Sequence, residues 1–309
     1  MGPTERMQAV SVARQYYREG LSKVEIAALH GLSRYKVARI LEKCVETGIV
    51  KIEINADANI DTALSEQLVK RFKLKHALVV NGTFEDISAT RRALGRTAAM
   101  FLTECLTAED VLGMAWGRTI DQITQEVESL PACRVVQMTG VTNPVQANSV
   151  DLVRRMAVAT RGPAHPIYAP LLVSDHEALL AIQRQPEVQE AMACWSKITV
   201  AVVAIGSWCL EGSQLYEVLP KADREALSNL GIEWEFCGIL MGADGAPIKT
   251  SLTARTVGVP YETLQKIPEI IAVAGGMAKV EAIRSALKSR LVSSLVTDAA
   301  VAKALLAMT

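Results

Sequence analysis

The apolar residues near the start of the chain recur with the period of an α-helix. Within residues 33–45 they fall three and four places apart, which puts them on one face of a helix. These apolar positions are Val37, Ile40, Leu41, Cys44 and Val45. Ser33 precedes the pattern, and its hydroxyl can accept a backbone N–H that the start of a helix leaves unpaired. We therefore predict a helix that is capped by Ser33 and buried along one side.

The opposite face of this helix is cationic near its start, where it carries Arg34, Tyr35, Lys36 and Arg39. A short helix with cations and a tyrosine in front suits the major groove of DNA. An ordinary surface helix with a solvated basic face would show the same residues. Together with Ser33, these four residues are the candidate DNA-binding residues.

The neighbours of this helix favour DNA binding. Residues 25–29 predict a short preceding helix, and Gly31 suits a turn position with positive φ. A short helix, a glycine turn and a capped second helix follow the helix-turn-helix order. The alternating residues 49–54 predict a strand that would form a wing. The alternative is a helical hairpin used only for packing. We predict a winged helix-turn-helix domain over residues 1–56.

The pattern of apolar residues changes after residue 57. Residues 63–72 predict a linker helix that helps subunits pair, and residues 86–106 predict a long amphipathic helix. Between helices lie continuous apolar runs, which are typical of strands buried on both faces of a parallel sheet. The runs are residues 76–80, 111–115, 135–138, 198–205, 236–240, 270–274 and 294–296. We predict an α/β domain of Rossmann-like fold over residues 57–309.

The loops that follow these strands are the candidate ligand sites, because open parallel sheets bind ligands at the carboxyl ends of their strands. Trp116-Gly117-Arg118-Thr119 follows a strand and opens a helix. A helix start with a glycine and a cation favours an anion, so this loop predicts a cradle for a phosphate or a polyol. The alternative is a tight turn with a capping threonine.

Further loops add candidates of the same kind. Thr139 and Gly140 begin a loop rich in small hydroxyl and amide groups that extends to Asn143, and Asp244 follows the run at 236–240. Each of these loops reads equally well as a simple turn. Gly275 and Gly276 precede Lys279 in the first turn of a helix. A lysine there opposes the helix dipole, and a bound phosphate would account for it.

Composition limits the other classes of function. The chain has 309 residues, half of them hydrophobic, and its 33 basic residues equal its 33 acidic ones, so only local charge can attract DNA. The six cysteines form no CxxC pair, and no HExxH or GxSxG motif occurs, so we expect no metal and no catalytic residue. No leader or membrane-spanning run is predicted, so we expect a cytoplasmic protein.

With these motifs in order, the chain resembles the SorC family of sugar-responsive bacterial transcriptional regulators over nearly its whole length. The resemblance implies an N-terminal helix-turn-helix and a C-terminal domain similar to sugar-phosphate isomerases. It also implies a sugar, polyol or sugar-phosphate effector, no other cofactor, and a homodimer or homotetramer. The matching stretches include Glu25-Ile26-Ala27, Leu32-Ser33-Arg34, Trp116-Gly117-Arg118-Thr119, Ala169-Pro170-Leu171, Gly275-Gly276 with Lys279, and Leu295-Val296-Thr297-Asp298.

We therefore predict a regulator of a carbohydrate or polyol catabolic operon that binds double-stranded operator DNA under the control of its effector. The alternative is an enzyme similar to a sugar-phosphate isomerase, since a fold does not decide a function. Such an enzyme needs an acid–base pair in a ligand loop, and Asp244 is the one obvious candidate. The sequence leaves open whether the effector releases or recruits the regulator.

Overall fold

The computed structural model describes residues 2–51, 59–82, 84–142 and 149–308. The chain divides into two compact units, Met1–Ala56 and Asp57–Thr309. Each unit has its own hydrophobic core. The two are therefore described separately.

The first unit packs three helices around a small core. The helices are α1 (Pro3–Tyr17), α2 (Lys23–His30) and α3 (Arg34–Glu46). Helices α2 and α3 were predicted, and the turn between them is confirmed, because Gly31 caps α2 with φ 61°. The core is formed by Ala9, Val12, Ala13, Ile26, Ala27, Val37, Leu41 and Cys44.

One detail of this unit differs from the prediction, and another lies partly outside the described residues. Val45 was placed on the buried face of α3, but its side chain is 43% exposed because the helix turns it past the edge of the core. The predicted wing strand begins at residues 49–51, which are not in a strand. The rest of that predicted strand, residues 52–54, lies outside the described residues.

The second unit alternates strands and helices. Its helices are α4 (Thr62–Phe72), α5 (Ile87–Cys105), α6 (Arg118–Glu126), α7 (Ser149–Thr160), α8 (His176–Gln183), α9 (Pro186–Trp195), α10 (Gln214–Val218), α11 (Lys221–Ser228), α12 (Tyr261–Leu264), α13 (Val280–Lys288) and α14 (Ala299–Ala307), with short 3₁₀ helices at Thr253–Arg255 and Met277–Lys279. Its strands are β1 (His76–Val80), β2 (Val111–Met114), β3 (Arg134–Gln137), β4 (Ala164–His165), β5 (Val200–Val203), β6 (Gly206–Ser207), β7 (Trp234–Phe236), β8 (Ile239–Met241), β9 (Glu269–Val273) and β10 (Ser294–Asp298).

Seven of these strands form one parallel sheet in the order β1-β10-β9-β5-β2-β3-β4. Apolar side chains cover both faces, which is why the strands read as continuous apolar runs. From β2 the chain adds β3 and β4 on one side, and from β5 it adds β9 and β10 on the other. The point where the order reverses therefore lies between β2 and β5, where open sheets of this kind bind ligands.

The apolar run at residues 236–240 is not a strand of the parallel sheet, and that prediction was wrong. The run is instead the turn of a hairpin between β7 and β8, which pair antiparallel in a separate sheet with β6. Cys237 and Gly238 form the turn, with φ values of 52° and 77°. Positive φ at both central residues matches the twist of a tight hairpin. A cysteine at such a position gives no turn signal in the sequence.

The apolar side of α4 is used within its own unit. Leu68 is fully buried, and Leu64 and Phe72 pack against the same core. Helix α4 contacts β1 and α14. This packing accounts for its apolar stripe, and the role of the helix in pairing subunits stays a prediction. Among the described residues, no helix combines the length and the apolar character that crossing a bilayer would require.

Candidate functional site

A polar cleft lies at the carboxyl ends of β9, β5 and β2, three neighbouring strands of the parallel sheet. Its lining atoms and its open mouth together enclose about 430 Å³ of empty space, part of which is open to solvent. Its lining comes from the loops after all three strands, together with α5, the start of α10 and the β7–β8 turn. The lining residues are Arg91, Trp116, Gly117, Arg118, Thr119, Ala204, Ile205, Gly206, Glu211, Gly212, Ser213, Gln214, Glu235, Cys237 and Lys279.

The loop after β2 brings its four predicted residues to this cleft. Gly117 has φ 149°, and an added Cβ would lie 2.8 Å from the Cβ of Ala204, so only glycine fits. Helix α6 begins at Arg118, and Thr119 is buried in its first turn. Trp116 is buried, with its ring edge near Gly238 of the hairpin turn. The absence of a side chain at Gly117 lets a ligand approach the start of α6.

The loop after β9 places Lys279 at the cleft, at the residue that precedes α13. Its Nζ donates a hydrogen bond of 2.6 Å to the carbonyl oxygen of Ile205, in the loop after β5. The pKa of Lys279 is lowered from 10.5 to about 8, chiefly by burial; the nearby charges of Arg91 and Arg118 add to this shift, and the charge of Glu235 opposes it. A partly buried lysine of this kind favours a ligand that brings oxygen acceptors.

A buried carboxyl lies beside this lysine. Glu235 of β7 is 4% exposed, and the Ser213 hydroxyl donates to its Oε1 over 2.9 Å. Burial raises the pKa of Glu235, although Ser213 and the charge of Lys279 act in the opposite direction. The Oε1 of Gln214, also in the lining, is buried and has no hydrogen-bond partner among the described residues. These oxygens can accept hydrogen bonds from ligand hydroxyls.

Two arginines stand nearer the mouth. Arg118 forms an ion pair with Glu217 and donates to the carbonyl oxygen of Glu211 over 3.1 Å. Arg91 of α5 is half-buried. Burial and then the charge of Arg118 lower the pKa of Arg91, while Glu217 and Glu211 oppose that change. The cleft as a whole therefore offers both acceptor oxygens for ligand hydroxyl groups and cations for an anionic group.

The structure places the other predicted effector residues outside the cleft lining. Gly275 and Gly276 lie behind Lys279, where the Gly276 N–H donates to Asp298 over 2.7 Å. Thr139 and Gly140 are fully enclosed, and Thr139 forms a β-bridge with Gly258. The Asn143 end of the Thr139 loop lies outside the described residues.

Asp244 is exposed in a turn after β8, where its Oδ1 accepts the N–H of Ala246 over 2.9 Å. The prediction that Asp244 lies at the edge of the parallel sheet depends on a strand of that sheet at residues 236–240, which the structure does not contain. The hairpin carries it elsewhere, and it is not in the cleft lining. Its local hydrogen bond is that of an ordinary turn aspartate.

Sequence reasoning missed several residues of the cleft. Arg91 lies within the predicted helix 86–106, where an arginine reads as a solvated surface residue. Glu235 sits in an apolar strand, and a buried acid flanked by Trp234 and Phe236 is the signal that could have marked it. Ser213 and Gln214 begin a five-residue helix with no apolar period to announce it.

The start of α3 presents a separate polar surface in the first unit. Ser33 accepts the backbone N–H of Lys36 over 3.2 Å, which confirms the predicted cap. The side chains of Ser33, Arg34, Tyr35, Lys36 and Arg39 are all exposed, with Tyr35 83% accessible. The structure thus brings the five predicted DNA-binding residues to one solvent-facing end of the helix.

No cluster of metal-ligating side chains occurs among the residues that the structure describes. The five predicted DNA-binding residues and the cleft are therefore the two polar surfaces that the sequence and the structure single out together.

Comparison with known proteins agrees with this architecture. Residues 57–307 match the Sugar-bind family, a family of sugar-binding domains. The chain is 29% identical to an uncharacterized transcriptional regulator, YjhU, of Escherichia coli strain K12 (94% of this chain, 92% of that protein). It is also 29% identical to the erythritol catabolism regulatory protein EryD of Brucella abortus strain 2308 (99% and 98%).

A solved structure extends the similarity to the whole chain. The full-length sorbitol operon regulator SorC from Klebsiella pneumoniae superposes with a TM-score of 0.76 at 24% identity, over 97% of this chain and 98% of that one. At that identity the match shows a shared fold. The family match over residues 57–307 carries the assignment, and the resemblance predicted from the sequence motifs is confirmed. The chain belongs to the Sugar-bind family of sugar-binding domains, among the SorC-type transcriptional regulators.

Proposed function

We propose that this protein is a DNA-binding transcriptional regulator of a carbohydrate or polyol operon, controlled by a sugar, polyol or sugar-phosphate effector. The observation that carries the proposal is one chain with two polar surfaces: the exposed cationic start of α3, and the cleft at the strand ends. The relatives with names of this kind, such as the sorbitol operon regulator and EryD, support it. The function is regulatory rather than enzymatic, since the relatives are regulators and Asp244 is not in the cleft lining.

Residues 1–56 act as the DNA-binding domain, with α2, the Gly31 turn and α3 as its helix-turn-helix. The second helix of this motif enters the major groove, and the residues at its start contact base edges and phosphates. Arg34, Lys36 and Arg39 supply cations there, and Tyr35 supplies a ring and a hydroxyl. The buried side of α3 anchors it to the other helices, so its exposed side is free to meet DNA.

Residues 57–309 act as the effector domain. Trp116, Gly117, Arg118, Thr119 and Lys279 form the part of the predicted site that the cleft brings together. Hydroxyl groups suit the acceptor oxygens of the cleft, and its cations suit a phosphate. No cofactor is needed beyond the effector.

The effector controls DNA binding by linkage. If the effector prefers one arrangement of the oligomer, it stabilises that arrangement and changes the affinity for DNA by the same coupling free energy. A homodimer or homotetramer would present its α3 helices in pairs. Its two half-sites would then lie about one or two helical turns apart, about 34 Å for each turn.

The test is operator retention in a gel shift with the full-length protein. Arg34→Ala combined with Arg39→Ala should abolish retention, because each lost cation weakens contact with the phosphates and bases. Glu42→Ala, an exposed change on the same helix, is the matched control and should retain the operator. Unchanged circular dichroism would show that the double variant is folded. A folded double variant that still binds its operator like the wild type would refute this role of α3.

A further inference from the structure

A second depression adjoins the cleft at its mouth, and the two share Arg91 and Arg118. It lies between α5 and α6. Its remaining lining residues are Ser88, Arg92, Asp121 and Gln122. Three arginines therefore line this one small surface.

Of these three arginines, only Arg118 forms an ion pair with a nearby acid within the described residues. Glu217 forms its ion pair with Arg118, and Asp121 forms one with Arg155 of α7. Arg91 and Arg92 have no ion pair or hydrogen bond from their side chains within the described residues. A half-buried guanidinium beside another guanidinium is unfavourable by itself, and an oxyanion between them would offset that cost.

The floor of the cleft, in contrast, disfavours an oxyanion. Glu235 and the unpartnered Oε1 of Gln214 are acceptors, and an oxyanion placed against them would meet acceptor with acceptor. Lys279 is the cation there, and its Nζ already donates to Ile205. Hydroxyl groups, which donate as well as accept, fit this floor better than a phosphate does.

We propose that Arg91 and Arg92, with Arg118, form an oxyanion subsite at the mouth, so that the effector binds with its hydroxyl-bearing chain on the floor and a phosphate or carboxylate group between α5 and α6. The inference rests on the proposed effector role of the cleft and names the class and orientation of the ligand. It also assigns a function to Arg91 and Arg92, which the sequence motifs do not include.

The test is calorimetric titration of the full-length protein with four probes: inorganic phosphate, sorbitol, sorbitol 6-phosphate and gluconate. The wild type should bind inorganic phosphate at millimolar concentration and should bind sorbitol 6-phosphate more tightly than sorbitol. Arg91→Ala and Arg92→Ala should each weaken binding of the phosphate-bearing probes at least about tenfold, since each removes a charge-assisted contact. Their affinity for sorbitol should stay the same. Arg91→Lys should recover part of the loss because it keeps the charge.

Arg96→Ala is the matched control, because Arg96 lies on the same helix, is exposed and pairs with Glu126 outside both cavities. It should bind every probe like the wild type. A loss confined to gluconate would identify a carboxylate as the group at the mouth. Failure of the wild type to bind both inorganic phosphate and gluconate, or unchanged binding of both anions in Arg91→Ala and Arg92→Ala, would overturn the subsite. Operator retention without probes should be the same in all these variants, so a failure of the DNA-binding proposal would be seen separately.

Discussion

The Nζ of Lys279 and the carbonyl oxygen of Ile205 are joined by a hydrogen bond of 2.6 Å, although 74 residues separate them in the chain. The bond is possible because β9 and β5 are neighbours in the sheet and their carboxyl ends meet. It fixes the lysine at the cleft before any ligand arrives. A ligand acceptor then has to share this ammonium group with the backbone.

Lys279→Met should change how stability depends on pH. The pKa of Lys279 is lowered from 10.5 in the unfolded chain to about 8 in the folded one, chiefly by burial. Between those two pH values unfolding takes up a proton at this amine, so its contribution to the free energy of unfolding rises as the pH rises. Urea unfolding at a series of pH values should show the wild type gaining stability relative to the variant between about pH 8 and 10.5, with a constant difference below pH 8.

The same change should remove the response of operator binding to the effector while leaving DNA retention intact. In the wild type, effector affinity should fall as the pH rises through about 8, because the lysine loses its charge. Arg290→Met, a change at an exposed cation outside the cleft lining, serves as the control. If the difference in stability between the wild type and Lys279→Met stayed constant between about pH 8 and 10.5, the lowered pKa of Lys279 would be contradicted.

Gly117→Ala should destabilise the effector domain by about 1–3 kcal/mol, because alanine at φ 149° is strained and its Cβ would lie 2.8 Å from that of Ala204. Urea unfolding measures the loss, and titration with sorbitol 6-phosphate measures the accompanying loss of affinity. Adding Ala204→Gly should remove the contact but not the backbone strain. The double variant should therefore recover only part of the stability. Full stability in Gly117→Ala alone would show that the loop does not require a glycine.

Two substitutions at Ser33 distinguish its role as the cap of α3 from its proposed contact with DNA. Ser33→Ala should lower the stability of the first unit by about 1 kcal/mol, because the N–H of Lys36 loses its acceptor. Ser33→Asp should keep that stability, since aspartate caps equally well, but should weaken operator retention because its carboxylate would face the phosphates. Thermal unfolding and gel shift measure the two effects. Operator binding by Ser33→Asp at wild-type strength would place the phosphates away from this helix start.

Much of the local structure could be predicted from the sequence. The apolar stripe of α3 repeats within the helix itself, and the hydroxyl of Ser33 accepts an N–H only three residues along the chain, so the local pattern carries the information. The strand at residues 76–80 was also predicted, since a parallel sheet covered on both faces demands an unbroken apolar run. The prediction failed at residues 236–240 because a hairpin packed in a core reads as the same kind of run.

The candidate site could be predicted only in part, for a related reason. Arg118 and Lys279 follow predicted strands, so the rule about strand ends found them. The prediction of Asp244 beside them was wrong, because its apolar run forms a hairpin and not a strand of the parallel sheet. Nothing near Arg91 in the sequence marks it, because its partner in the cleft, Arg118, lies on another helix.

By itself, the sequence determined what depends on neighbours along the chain: the helices and their caps, the buried strands, the cationic start of α3 and the family to which the chain belongs. The order of the strands was left to the tertiary structure. By placing β5 between β9 and β2, it brought Lys279, Glu235 and Arg91 to one cleft and left Asp244 out of its lining. The physical reason is that burial and pairing between strands act across gaps in sequence of any length, whereas periodicity and capping act over a few residues.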